Sequence, residues 1–304
     1  MSAHPSLSSV DAVTTALADH DYLADRGLAT TIFLATSLNR PLLLEGEAGV
    51  GKTEVAKVLA AMTGGELIRL QCYEGIDANQ ALYEWNYTAQ LLHLRTVEAT
   101  GTATAAGADE LEEELFRERF LVRRPLLRAI DHGGDIPPVL LIDEVDRADD
   151  EFEAFLLEAL SDFSITIPEL GTFTADVPPI VIITSNRTRD VHDALKRRAL
   201  HHWVEHPDFE REVAIVRAKA PAVPDRLARQ TAMATGIVRE LGMYKPPGVA
   251  ETLDWANAMH LLGETELTEE TVDATLGTLL KYREDQDKVR REGLKHLLAA
   301  VASA

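Results

Sequence analysis

A single cysteine, Cys72, stands in 304 residues, so no intrachain disulfide can form and nothing points to an oxidising compartment. Aromatic residues are sparse at 6% of the chain. No apolar run approaches the roughly 20 residues that a membrane-spanning helix needs. The opening Met1-Ser2-Ala3-His4-Pro5 lacks the charged and apolar parts of a secretory leader, and the expected compartment is therefore the cytoplasm. Positive charge is also in short supply, with 30 Lys and Arg against 50 Asp and Glu, a formal net charge of −20. Residues 208–304 hold 13 of those basic and 16 of those acidic side chains, so the excess of acid lies before them. A chain of that sign repels a phosphate backbone, which argues against nucleic-acid binding.

What is present is a glycine-rich octapeptide in a telling position. Gly46-Glu47-Ala48-Gly49-Val50-Gly51-Lys52-Thr53 follows the apolar run Pro41-Leu42-Leu43-Leu44 and precedes the helix-prone stretch Glu54–Ala60. G-x-x-x-x-G-K-T between a strand and a helix is a phosphate-binding loop. Its glycines let successive N–H groups converge on an anion beside a positive helix end. In that reading Lys52 reaches the β- and γ-phosphates of ATP and the Thr53 hydroxyl ligates Mg²⁺.

Strand-like runs at Pro41–Glu45, Glu66–Gln71, Val139–Ile142, Ile180–Thr184 and His201–Glu205 alternate with helical stretches, among them Arg26–Ser37. That alternation is the pattern of a parallel sheet covered by helices. Thr100–Ala108, rich in Gly, Ala and Thr, reads as a loop. After Pro207 the strand signal ends, and helices are expected over Asp208–Ala220, Pro224–Leu241, Pro247–Leu262, Thr268–Tyr282 and a last stretch to about Ala302. The expected division is an α/β nucleotide-binding domain over 1–207 and a small all-helical domain over 208–304.

Two further strand ends carry chemistry. Val139-Leu140-Leu141-Ile142 ends in Asp143-Glu144, where Asp143 suits Mg²⁺ and Glu144 suits a base that activates water against the γ-phosphate. Ile180-Val181-Ile182-Ile183 ends in Thr184-Ser185-Asn186, whose amide suits the same water or the γ-phosphate, or equally a simple strand-end turn. Ala194-Leu195-Lys196-Arg197-Arg198 is a basic cluster in an acidic region, either a solvated face or the source of an arginine finger for a neighbouring subunit.

In this order, these features resemble the AAA+ ATPases. Within them the chain resembles the MoxR group and most of all its CoxD-type branch, through PLLLEGEAGVGKTE (41–54), QCYEGIDANQALYEWNY (71–87), LIDEVDRADDEFEAFLLEAL (141–160), FSITIPELG (163–171) and HDALKRRALHHWVEHPD (192–208). The resemblance implies a P-loop αβα core with a five-stranded parallel sheet, a helical lid, a helical insert near 75–100 and a β-hairpin near 163–178. It also implies ATP and Mg²⁺ as cofactors, a homo-oligomeric and usually hexameric ring, and a partner with a von Willebrand factor A domain. The implied client is a metalloenzyme matured by a chaperone-like ATPase, with a carbon monoxide dehydrogenase-like molybdenum enzyme as the best guess. By position Arg198 matches the finger, with Arg197 the alternative because Ala199 stands where relatives have Phe. Arg147 matches an arginine near the subunit interface. Asp21-Tyr22-Leu23 lies where relatives contact adenine, which marks Tyr22. The lid lacks the usual sensing arginine at Lys245-Pro246-Pro247-Gly248-Val249, which leaves Lys245 as a substitute.

Other residues read as structural. His192, His201, His202 and His206 bracket a strand without a tetrahedral ligand set, and Cys72 reads as a packed small hydrophobe. Tyr83, Trp85 and Tyr87 alternate in the insert and read as packing, with a client-facing surface as the alternative. A nucleotide-gated scaffold and a nucleic-acid motor stay open as rival functions.

Overall fold

The computed structural model describes residues 4–100 and 108–302. In chain order the elements are α1 (Val10–Ala18), α2 (Arg26–Ser37), β1 (Leu42–Glu45), α3 (Lys52–Thr63), β2 (Leu67–Gln71), α4 (Ala78–Leu82), β3 (Tyr83–Trp85), α5 (Tyr87–Thr100) and α6 (Ala108–Leu115). There follow β4 (Leu121–Arg123), α7 (Pro125–Ile130), β5 (Val139–Asp143), α8 (Asp150–Asp162), β6 (Ser164–Ile167), β7 (Gly171–Thr174), β8 (Ile180–Ser185), α9 (Asp193–Arg198) and β9 (Leu200–Trp203). The chain then runs through α10 (Phe209–Lys219), α11 (Asp225–Glu240), α12 (Val249–Leu261), α13 (Glu269–Leu279), α14 (Arg283–Glu292) and α15 (Leu294–Ala302). The stretch Thr100–Ala108, expected as a loop, falls outside the described residues apart from its ends. Among the described residues no helix is long and apolar enough to cross a membrane.

The main sheet has five strands in the order β2-β5-β8-β1-β9. β5 runs parallel to β2 through Leu67↔Val139 and to β8 through Val139↔Ile180. Every residue of β1 and β5 is buried, as required of central strands covered on both faces. The fold is therefore the five-stranded parallel P-loop architecture with surrounding helices and a helical C-terminal region. β9 begins one residue before the expected strand and stops at Trp203.

The chain divides into two compact units. One is chiefly Thr31–Leu44 and Leu59–His201; the other is Pro5–Thr30, Glu45–Val58 and the chain from His202 onward. In the first, Leu126, Leu127, Leu140, Ile142, Phe152 and Leu156 form one core with the sheet. Asp149 caps α8 by accepting from Phe152 N–H at 2.8 Å, and acidic Asp150, Glu151 and Glu153 suit that helix's first turn. β6 and β7 make an antiparallel hairpin, and β3 pairs antiparallel with β4. Trp85 is buried edge-on against Phe116, whereas Tyr87 is exposed.

In the second unit, α10–α15 enclose a core of Val216, Leu227, Trp255, Met259 and Leu276. Asp208 caps α10 by accepting from Arg211 N–H at 2.9 Å. The single last helix that the sequence suggested is two, because Gly293 ends α14 with φ +95°, a backbone state open to glycine. A buried ion pair ties three helices together. Arg239 on α11 donates to both oxygens of Glu212 on α10 at 2.6 and 2.7 Å, and Thr252 on α12 donates to Glu212 Oε1 at 2.6 Å. Removing one member leaves an uncompensated buried charge. Glu212→Ala should lower stability by about 3–5 kcal/mol in urea denaturation followed by Trp fluorescence; an unchanged midpoint would contradict this role.

Candidate functional site

β1 gives way at Glu45 to the loop Gly46–Gly51. A Cβ on Gly46 would lie 2.4 Å from the carbonyl oxygen of Val204, whose own N–H donates to the Glu45 carbonyl at 2.7 Å. No side chain fits there, so glycine must open the loop. Gly49 has φ +80°, and a Cβ on it would meet Gly248 Cα at 3.1 Å and a Glu251 carboxylate oxygen at 2.8 Å. Among the described residues, the N–H groups of Glu47, Ala48, Gly49, Val50 and Gly51 find no acceptor. Beside them the buried Lys52 ammonium donates to the carbonyls of Gly46 at 2.8 Å and Glu47 at 2.6 Å. Five consecutive donors and a buried cation fit a polyphosphate anion. Thr53 and Glu54 follow in the first turn of α3, with Glu54 paired to Lys57 at 3.0 Å and Lys219 at 3.5 Å.

Three other parts of the second unit reach this loop. The Tyr22 ring lies 3.8 Å from the point where a Gly51 Cβ would stand. Burial, with added repulsion from Asp25 and Glu54, holds its phenol well above the ordinary tyrosine range, although Arg211 pulls the other way. The first N–H groups of α12, on Val249 and Ala250, donate to the Gly49 carbonyl at 3.0 and 3.3 Å. Lys245 is exposed, and its backbone N–H donates to Asp285 at 3.1 Å. Finally, the strand-to-helix connection Val204–His206 passes Gly46, and both ring nitrogens of His206 are buried without a partner. Burial, then the cations of Arg239 and Lys52, push its pKa down to about 4.

In the first unit, the two acids at the end of β5, Asp143 within it and Glu144 just after, sit in separate settings. Asp143 accepts from the Thr184 hydroxyl at 2.6 Å and from the Arg69 guanidinium at 2.6 Å. Glu144 has left-handed backbone, φ +56°, a costly state for a residue with a Cβ. The Thr184 hydroxyl secures it by accepting the Glu144 N–H at 2.9 Å. One carboxylate oxygen of Glu144 accepts from Asn186 Nδ2 at 3.3 Å; the other accepts from Gln71 Nε2 and Arg147 Nη1, each at 3.1 Å. Arg69 donates also to Gln71 Oε1 at 2.5 Å, which turns the Gln71 amide nitrogen toward Glu144. Buried Asp146 accepts from the backbone of Asn186 at 3.2 Å and of Thr188 at 2.8 Å, and so shapes the turn that carries Asn186.

Asp143, Glu144 and Asn186 thus come together, with Arg147 as a fourth member. Arg197 and Arg198 stand apart on α9, where Arg198 donates to the Ser161 hydroxyl. Arg40 braces them by donating to the carbonyls of Arg197 at 2.6 Å and Arg198 at 2.8 Å. With Asn39, Leu157 and Leu195 they line a cleft of about 250 Å³. Of the remaining histidines, His192 caps α9 through Ala194 N–H at 3.2 Å, and His202 lies 3.8 Å from Asp25.

Sequence reasoning passed over Arg69, Asp146 and the role of Gln71. The signal for Arg69 was a lone charge inside the apolar strand Leu67–Gln71, and for Asp146 its place two residues after Glu144. Cys72 belongs to the same neighbourhood, its N–H donating to the Asp143 carbonyl at 2.9 Å. Burial first, then the surrounding carboxylates, push its thiol up to about 12. At pH 8 about one thiol in 10⁴ is then ionised. Iodoacetamide should label Cys72 at least about 100-fold more slowly in the native protein than in urea; equal rates would contradict this placement.

No curated protein matches this chain at a significant level. Among solved structures it is similar to a point mutant of the Thermotoga maritima RuvB protein, with a TM-score of 0.46 and 15% identity over 92% of this chain and 73% of that one. It is also similar to a Cytophaga hutchinsonii protein described as a candidate ATPase, with a TM-score of 0.44 and 13% identity over 96% of this chain and 94% of that one. The family model of the AAA domain (dynein-related subfamily) matches residues 41–199, more than half of the 304 residues. The chain belongs to that family and is an AAA ATPase.

Proposed function

We propose that this chain is a MoxR-type AAA+ ATPase of the CoxD-type branch, coupling Mg²⁺-ATP hydrolysis to chaperone-like maturation of a metalloenzyme. The observation that carries the hydrolytic part is Glu144, whose strained backbone is secured by the Thr184 hydroxyl and whose carboxylate is gripped by Gln71, Arg147 and Asn186. Strain of that kind concentrates at working residues. A base restrained by one cation and two amides is available to water once those donors turn away.

The loop Gly46–Thr53 binds the phosphates in this reading, and Lys52 offsets charge on the β- and γ-phosphates. Thr53 and Asp143 would hold Mg²⁺; one hydroxyl and one carboxylate suit an ion that keeps most of its ligands as water and phosphate oxygens. Bound there, the ion supplies charge neutralisation. Glu144 takes the proton of the attacking water, Asn186 orients that water, and Tyr22 packs beside the nucleotide. Arg198, or Arg197, serves an adjoining protomer's γ-phosphate as the finger, which requires a homo-oligomeric ring, hexameric by resemblance. The carbon monoxide dehydrogenase-like molybdenum client, the von Willebrand factor A partner and the cytoplasmic location come from the resemblance of residues 41–54, 71–87, 141–160, 163–171 and 192–208.

One observation favours a nucleotide-gated scaffold with incidental turnover: α12 meets the loop with N–H groups and no arginine. Partner-stimulated ATPase activity would decide against the scaffold. The net charge of −20 disfavours a nucleic-acid motor, which DNA-stimulated turnover at physiological salt would revive.

Glu144→Gln should lower kcat by at least about 100-fold while ATP still binds; normal turnover would remove Glu144 as the base. Capture with this variant in ATP, read by mass spectrometry, should retain a metalloenzyme subunit and a von Willebrand factor A protein. Mixing Arg198→Ala with Lys52→Ala subunits should restore part of the activity lost by each alone; absence of rescue at every ratio would place the finger elsewhere.

A further inference from the structure

One half-buried side chain in the second unit is left over by this mechanism. His206 sits two residues beyond Val204, whose carbonyl closes on Gly46, and immediately before Pro207 and the α10 cap Asp208. Both of its ring nitrogens are buried, and among the described residues neither has a hydrogen-bond partner. Folding therefore strips the imidazole nitrogens of water and returns nothing, which native interiors tolerate at few places. The charges around it explain what is missing. The cations whose fields reach it are Arg239 on α11 and Lys52 on α3. Arg239 cannot retreat, because Glu212 grips it with both oxygens and its Nε donates to the Pro247 carbonyl at 2.7 Å. Two acids of the α10 region are engaged elsewhere: Glu212 by Arg239 and Thr252, and Asp208 by the Arg211 N–H that it caps. A neutral imidazole with one N–H donor and one lone pair, in the field of two cations and two residues beyond the carbonyl that closes on Gly46, is fitted to an anion.

We propose that His206 is a ligand of the nucleotide's phosphate chain, donating a hydrogen bond to a phosphate oxygen and taking up one proton from solvent as the anion binds. The proton returns to solvent when the phosphate leaves. The inference rests on the assignment of Gly46–Thr53 as the phosphate loop. The physical reason for the uptake is a reversal of field. Without an anion the two cations and burial keep the ring neutral, with its pKa near 4 against an ordinary 6.5. A phosphate cancels those cations and gives an imidazolium a charge-assisted partner. The same depression has a sign for stability. In the window from pH 6.5 down to about 4 the unfolded chain binds a proton that the folded ring refuses, so the nucleotide-free protein loses stability as pH falls through it.

The test is calorimetric titration of ADP, and separately of inorganic tripolyphosphate, into the full chain at pH 7. Two buffers of different ionisation heat are used, with wild type, His206→Gln and His206→Phe compared. Wild type should take up close to one proton more than either variant, with both ligands, and bind about tenfold or more tightly. Thermal melting of the nucleotide-free forms serves as the folding control. Both variants should melt no lower than wild type at pH 5, where the desolvated wild-type ring is most unfavourable; a merely structural histidine would lower their melting and leave proton uptake unchanged. Equal uptake and affinity in wild type and variants overturns the proposal. Uptake with ADP and not with tripolyphosphate overturns the phosphate contact in favour of the base or ribose. If wild type binds neither ligand, the phosphate loop itself is refuted and the inference with it; if wild type binds and Lys52→Ala does not, the loop stands and the comparison at His206 judges the inference alone.

Discussion

The loop after β1 depends on backbone room. Gly46 passes within touching distance of the Val204 carbonyl, and Gly49 and Gly248 press main chain on main chain. Because no side chain intrudes, five N–H groups in succession keep their hydrogen-bonding capacity, and Lys52 folds over them onto two carbonyls of the same loop. Exposing unpaired donors on purpose is costly unless an anion supplies the acceptors. Around that loop the second unit contributes an aromatic ring, the N-terminus of α12 and an imidazole, all from segments far apart in the sequence.

The acids of the first unit work under a different constraint. Asp143 and Glu144 are adjacent in sequence, so both cannot face the same way from an extended strand. The chain resolves this by ending β5 at Asp143 and forcing Glu144 into left-handed backbone. Thr184 makes the strain tolerable, since one hydroxyl donates to Asp143 and accepts from Glu144 N–H. Through Arg69 and Gln71 the two carboxylates also become members of one hydrogen-bonded chain. A change at either acid is therefore felt at the other.

The helical region uses its own charges twice. Glu212 and Arg239 are buried together with Thr252, and a satisfied buried pair specifies how α10, α11 and α12 lie against one another. The same pair fixes a cation whose field lowers the pKa of His206, so a structural element also sets the electrostatics of that ring.

Much was legible in the one-dimensional pattern, because local rules produced it. The glycine spacing of 46–51, the apolar run Val139–Ile142 with Asp143 and Glu144 after it, and the strand-end Asn186 each depend on residues within a few positions. So does the change from alternating elements to helices after Pro207. Where a local cue was weak the reading slipped: β9 came a residue early, and Gly293 cut the last helix in two. Arg69 against Asp143, Asp146 under the Asn186 turn, and His206 between Lys52 and Arg239 join residues 33 to 154 positions apart in sequence. Composition and spacing determined the chemistry this chain carries. Which carboxylate is gripped, which glutamate is strained and which histidine is buried without a hydrogen bond were decided by strand order and helix packing, since only these bring distant side chains within hydrogen-bonding or Coulombic reach.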